Sequence, residues 1–157
     1  MLFRSGMPVW DFCCDHGYMG LMAYHSGAFP EIHFVDQVPH IIAKLEENFR
    51  TKHQREEKPH VVNFWAESGE NIPQMLTGTA IIAGVGAHTV IKILRGIYAN
   101  DRLNAQRLIL VPQKKEELLE CTLREWNDFQ LRYRFVSSTD VVEGHRSRKL
   151  LIYDKIL

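Results

Sequence analysis

The sequence predicts an α/β fold, a mostly parallel sheet with helices on both faces and an antiparallel hairpin at its C-terminal end. Three observations predict it. Short apolar runs alternate with segments of helical periodicity. The first run opens into a turn that carries Asp11 and Asp15 and then into a helix. Near the C-terminus that rhythm gives way to side chains that alternate between two faces.

The first apolar run covers residues 8–12 and leads into Cys13-Cys14-Asp15-His16-Gly17-Tyr18, a strand, a turn and a helix start. The second run, residues 32–36, ends in Asp36, and after it Ile41, Ile42, Leu45 and Phe49 share one helical face. Residues 51–59 are the most polar stretch and read as a solvated helix end and loop. A third strand is expected at 60–65 and a fourth at 79–84; Val90, Ile91, Leu94, Ile97 and Tyr98 then line a helix. The fifth strand is expected at 106–112, followed by a helix whose apolar face holds Leu118, Leu119, Thr122, Leu123 and Trp126. Phe129, Leu131, Tyr133 and Phe135 alternate with Gln130, Arg132 and Arg134, and residues 150–153 return after a turn at 143–145, which reads as an antiparallel pair. Right-handed crossovers that cover an apolar parallel sheet give a Rossmann-like architecture.

Composition narrows the class. A chain of 157 residues, 45% hydrophobic, has the length of one domain and buries a core of its own, so residues 1–157 are expected to form a single domain. Nineteen basic residues offset nineteen acidic ones, so no global field favours nucleic acid or an anionic membrane, and a polyanion site has to be local. Three cysteines, two of them adjacent, form no spaced pair, which suggests a reducing, cytoplasmic setting. No run approaches the roughly 18 apolar residues of a membrane span, and no signal-peptide core is visible, so a soluble protein with no membrane partner is expected.

The first turn contains neither Gly-x-Gly-x-x-Gly nor a P-loop, so it lacks the close backbone approach that a pyrophosphate needs. Asp11 and Asp15 repel pyrophosphate and suit the ammonium and sulfonium charges of S-adenosylmethionine. Asp36, at a strand end a little over 20 residues on, is placed as ribose-binding acids are. Five parallel strands closed by an antiparallel hairpin is the arrangement of class I S-adenosylmethionine methyltransferases, whereas dinucleotide dehydrogenases usually continue in parallel.

The segment Asp11-Phe12-Cys13-Cys14-Asp15-His16-Gly17-Tyr18, with Ile82-Ala83-Gly84-Val85-Gly86-Ala87 and Leu108-Ile109-Leu110-Val111-Pro112-Gln113, resembles the bacterial tRNA (adenine-N1)-methyltransferases of the TrmK type. The resemblance covers nearly the whole chain in order. It implies that Asp11, Asp15 and His16 line the methionine side of the cofactor, that Asp36 takes the ribose hydroxyls, and that Glu67 or Ser68 faces the adenine. Cys13 and Gln37 fall in the same cofactor set. Gly84, Val85 and Gly86 bring backbone close to the methyl group and the incoming base, and Pro112 and Gln113 flank the acceptor pocket. Asp15 and His16 are the orienting groups, with His88 a weaker contact. The family usually has Gly at the place of Cys13, a small residue at that of Cys14, Pro-Asn at that of Pro112-Gln113, and a C-terminal helical extension beyond the point where this sequence stops.

The implied activity is methyl transfer from S-adenosylmethionine, with S-adenosylhomocysteine as product, to adenine-N1 of tRNA. Two alternatives stay open: the same cofactor with a small-molecule or other acceptor, and a non-catalytic binding module of the same fold. No metal is expected, because the neighbouring Cys13, Cys14, Asp15 and His16 do not easily reach one tetrahedral ion and no second ligand pair follows. Trp10, Trp65 and Trp126 read as core residues, Trp65 also standing near the expected adenine. The other histidines carry no role alone. Arg132, Arg134, Arg146, Arg148 and Lys149 read as the solvated face of the hairpin before they read as phosphate contacts. The sequence leaves the oligomeric state open.

Overall fold

A computed structural model describes residues 2–54, 56 and 60–157, so positions 55 and 57–59 of the expected polar stretch lie outside the described residues. The chain runs β1 (Val9–Phe12), α1 (Tyr18–Ser26), β2 (Glu31–Asp36), α2 (Pro39–His53), β3 (Val61–Ala66), a short 3-10 turn (Gly69–Asn71), β4 (Thr79–Ala83), α3 (Ala87–Ala99), β5 (Arg107–Val111), α4 (Glu116–Glu125), α5 (Asn127–Arg132), β6 (Tyr133–Glu143) and β7 (Arg146–Lys155). The strands form one seven-stranded sheet in the order β3-β2-β1-β4-β5-β7-β6. The first five are parallel. β7 inserts antiparallel between β5 and β6.

The parallel strands are almost continuously apolar because they are covered on both faces. Trp10, Phe12, Ile82, Leu108 and Leu110 point to one face and pack with Val90, Leu94 and Ile97 of α3, Leu119 and Leu123 of α4, and Phe129 of α5. Val9, Ile32, Phe34, Ile81 and Ile109 point to the other face, where Ala23 and Tyr24 of α1 and Ile42 and Leu45 of α2 meet them. Each large apolar side chain buried in this way contributes about 1.5 to 3 kcal/mol. Gly20 lets α1 come down onto β2: a Cβ there would lie 2.4 Å from Cε1 of Phe34.

The hairpin forms as expected, with Gly144 at a left-handed φ of 62° in its turn, but its first strand starts later than the alternation suggested. Residues 127–132 are helical. Phe129 is fully buried and stacks on Trp126 and Tyr133 at 5.5 and 5.0 Å, while Leu131, which a strand would have turned inward, is 76% exposed. Four residues of alternation do not separate a strand from one turn of helix, and the packing of Phe129 decided it.

His33 has a clear structural place. It stacks on Trp10 with ring centroids 3.6 Å apart, accepts the Trp65 indole N–H at Nδ1 (3.0 Å), and has Nε2 3.0 Å from Glu31 Oε1. The accepting Nδ1 puts the proton on Nε2, which donates to Glu31. Burial holds its pKa down to about 4, so the ring is neutral at ordinary pH. Trp10 lies in the core as expected, and the Trp65 N–H is committed to His33.

Candidate functional site

At the C-terminal ends of β1, β4 and β5 the chain encloses a cavity of about 690 Å³. It exists because α1 and α2 stand over β1 to β3, whereas among the described residues no helix covers the same face at β4, β5 and β7. Ile81, Ile109, Val111 and Leu150 form its apolar floor, Tyr18 and Met19 of α1 one wall, and Val141 and Val142 of β6 the other.

The most distinctive group in it is Asp11. The residue is 4% exposed, and its Oδ2 accepts the Gly20 N–H at 2.9 Å in the first turn of α1. Burial pushes its pKa up to about 7, against the lowering effect of the Gly20 bond. A carboxylate so poor in partners gains from a cation placed beside it.

The turn after β1 is built from left-handed residues, Cys13 (φ 56°), Asp15 (φ 43°) and Gly17 (φ 70°). A non-glycine residue there carries backbone strain of about 1 to 3 kcal/mol, held in place by its surroundings. Three bonds do the holding: Cys14 N–H to Val35 O at 3.3 Å, Gly17 N–H to Cys14 O at 2.6 Å, and Asp15 N–H to Asp36 Oδ2 at 3.4 Å. Asp36 also accepts the Val38 N–H at 3.0 Å through Oδ1, so one carboxylate ties the β1 turn to the start of α2. The Cys13 thiol is pushed up to about 12 by burial first and then by Asp36, Asp11 and Glu70; Cys14 is raised by burial and the same aspartates. Neither is a thiolate, so neither is a nucleophile at ordinary pH.

His16 and Asp15 lie at the rim, two-thirds exposed, with Nε2 and Oδ2 3.7 Å apart. On the far side, Gln113 N–H donates to Val85 O at 2.8 Å and Ala87 N–H to Lys114 O at 3.1 Å, which stitches the loop after β4 to the loop after β5. Lys115 Nζ and His88 Nε2 are 3.4 Å apart just beyond these loops.

Of the residues singled out from the sequence, Asp11, Cys13, Asp15, His16, Gly84 and Gln113 line this cavity. Asp36, Gln37, Glu67 and Ser68 do not; they lie at or just past the ends of β2 and β3, on the other flank of the β1 turn. Val85, Gly86 and Pro112 lie outside the lining, and Val85 meets it through its carbonyl, which accepts the Gln113 N–H. The sequence reading missed Ile81, Ile109 and Leu150, whose inward alternation was visible but whose place beside a cavity was not. Arg148, expected on the solvated face of the hairpin, instead lines the cavity from β7 with its side chain 11% exposed. Among the described residues no group of three His, Cys, Asp or Glu side chains is arranged to hold a metal ion, and no helix is long and apolar enough to cross a membrane.

A family model described as a methyltransferase domain matches residues 2–146. No curated protein matches the chain. Among solved structures, Streptococcus pneumoniae Sp1610 superposes with a TM-score of 0.77 at 21% identity over 97% of this chain and 65% of its own. TrmK of M. capricolum, in complex with S-adenosyl-homocysteine, gives 0.75 at 14% identity over 98% and 64%. The B. subtilis m1A22 tRNA methyltransferase TrmK gives 0.74 at 17% identity over 98% and 61%. At these identities the likeness is one of fold, and this chain spans less than two thirds of each of the three.

Proposed function

The chain belongs to the methyltransferase domain family, and from that membership we propose that it transfers the methyl group of S-adenosylmethionine to adenine-N1 of tRNA, acting as one domain over residues 1–157 in the cytoplasm. The observation that carries the cofactor assignment is the buried Asp11 carboxylate, open to the cavity beside a strained, acid-bearing turn, with Asp36 on its other flank. The donor set fits the ligand: carboxylates for an ammonium and a sulfonium, a carboxylate at a strand end for two ribose hydroxyls, and no pyrophosphate cradle. The acceptor follows from the resemblance of the motifs at 11–18, 82–87 and 108–113 and from the likeness in fold to the tRNA methyltransferases named above.

Bound S-adenosylmethionine supplies an electrophilic methyl on a sulfonium. This chain's residues would do the rest. Asp11 and Asp15 face the cationic end, Asp36 and Gln37 hold the ribose, and Glu67 or Ser68 border the adenine. Gly84 to Gly86 would leave room for an acceptor base beside the cofactor, and Asp15, His16, Pro112 and Gln113 would orient it. Alignment is the main requirement of such a displacement. Adenine N1 carries its own lone pair, so no general base is assigned; nearby carboxylates and loop carbonyls favour the cationic product. A second reading, with a small apolar acceptor, draws on the floor of Ile81, Ile109 and Leu150.

Calorimetric titration with S-adenosylmethionine and S-adenosylhomocysteine, with NADH as control, followed by transfer of labelled methyl to unmodified tRNA, tests the reading. Micromolar binding of the first two and 1-methyladenosine in the digest support it. No binding at millimolar ligand overturns it, and binding with transfer only to small molecules selects the second reading. Asp36→Ala is expected to weaken cofactor binding by about 1 to 3 kcal/mol; an unchanged dissociation constant would remove Asp36 from the ribose.

Asp11 gives a pH prediction. The folded chain holds its proton more tightly than the unfolded chain, so its contribution to stability is full below the ordinary carboxylate pKa and is lost as pH rises through about 7. The cofactor's ammonium demands the opposite, ionised form. Affinity is therefore expected to rise from pH 6 to pH 8, with proton release near pH 7 that shows as buffer-dependent binding enthalpy. Flat affinity and no released proton would place the ammonium away from Asp11.

A further inference from the structure

We propose that Arg148 is a positioning residue that sets the acceptor side of the cavity by holding Gln113; this rests on the methyl-transfer reading above. Arg148 sits on β7 close to the turn of the hairpin, opposite Val141 of β6. Its side chain is 11% exposed although its element is an outer hairpin. Nε donates to Glu143 Oε2 at 3.0 Å, and Nη1 donates to the Gln113 carbonyl at 2.9 Å. The two bonds leave in different directions from one planar guanidinium, so the fork fixes the distance between the hairpin and the loop after β5.

The Gln113 backbone is consequently held from both ends. Its N–H donates to Val85 O in the loop after β4, and its C=O accepts from Arg148. Gln113 lines the cavity together with Gly84. A residue pinned at N–H and C=O projects its side chain in a set direction, which is what in-line transfer to one atom of an acceptor requires. The hairpin is stapled to the same region next door, where Lys149 N–H donates to Glu116 Oε1 at 3.2 Å and Lys149 Nζ to Glu120 Oε1 at 3.1 Å. Those bonds reach α4 and leave the Gln113 carbonyl to Arg148. The arginine is thereby drawn out of the hairpin's cationic face and into the architecture of the site.

The test uses Arg148→Met, which keeps the stem, and Arg148→Lys, which keeps the charge and loses the fork. Both are expected to lower kcat for methyl transfer at least tenfold with the S-adenosylhomocysteine dissociation constant within twofold of wild type. Both are also expected to raise the hydrogen-exchange rate of the Gln113 amide, followed by NMR, at least tenfold. A raised KM with unchanged kcat, restored by Arg148→Lys, would make Arg148 a direct charge contact to the acceptor and overturn the positioning role. Unchanged exchange at Gln113 overturns it as well. The exchange readout needs no acceptor, so wild-type protein that transfers no methyl group would refute the functional reading while the amide still decides whether Arg148 holds Gln113. If Arg148→Met does not fold, Arg148→Lys carries the same readouts.

Discussion

Asp154→Ala is expected to lower the stability of the protein by about 3 to 5 kcal/mol, because it removes one partner of a buried ion pair. Asp154 is buried on β7 and receives both arms of Arg107: Nε to Oδ1 at 2.7 Å and Nη2 to Oδ2 at 2.9 Å. Arg4 adds a further bond to Oδ2 at 2.5 Å, and Arg107 Nη1 donates to Leu2 O at 3.1 Å. The Asp154 and Arg107 side chains are 7% and 12% exposed, so removal of the carboxylate breaks a two-armed ion pair where little solvent reaches the guanidinium. The pair joins the start of β5 to the last residues of β7, at the end of the strands away from the cavity, and ties the N-terminal segment there. Bonding from Arg107 holds the Asp154 carboxyl below the usual range, so its contribution is present above the ordinary carboxylate pKa and is lost as pH falls through the depressed folded value. Urea melts of wild type and variant at neutral and acid pH check both statements. A variant within about 1 kcal/mol of wild type at neutral pH would mean that Arg107 finds another partner, and the difference between the two should shrink on acidification.

Gly78→Ala is expected to cost about 3 kcal/mol or more. Gly78 has φ of 77°, and a Cβ built on it would fall 2.0 Å from the carbonyl oxygen of Pro8 and under 3 Å from two more backbone atoms of that residue. Backbone does not give way as a rotamer does. The Pro8 carbonyl already accepts the Thr79 N–H at 2.9 Å, the first rung between β1 and β4, while the Gly78 carbonyl accepts N–H bonds from Gln106 and Arg107 at 2.8 and 3.1 Å. Shifting Pro8 therefore disturbs the start of three strands whose far ends carry Asp11, Gly84 and Gln113. The melting temperature should drop by about 10 °C, from the usual scaling for a domain of this size. A shift of about 2 °C or less would show that the strands slide apart at little cost.

Much of the architecture was legible along the chain. The apolar runs at 8–12, 32–36, 79–84 and 106–112 became strands with boundaries displaced by a residue at most, because a strand covered on both faces writes itself as a continuous apolar run. Asp11 and the turn after it were legible for the same reason: a carboxylate at the end of such a run has no structural excuse except a cap or a ligand. The start of the hairpin was not, since one turn of α5 mimics two steps of alternation until Phe129 is seen packed between Trp126 and Tyr133. Nor was the division of the candidate site into a cavity flank with Asp11, Asp15 and Gln113 and a second flank with Asp36 and Glu67, because that follows from where the helices fall over the sheet.

The sequence by itself determined the layer order, the parallel sheet with its antiparallel ending, and the acids that open the first turn and close the second strand. Each is a local pattern of period, length or punctuation, and local patterns survive in one dimension. Only the tertiary structure decided that a cavity and not a helix lies against Ile81 and Ile109, that Asp11 is buried deeply enough to titrate near neutrality, and that Arg148 reaches Gln113 and Arg107 reaches Asp154. These depend on residues 35 and 47 positions apart in the chain meeting at one point, and on how much water the assembled elements exclude there.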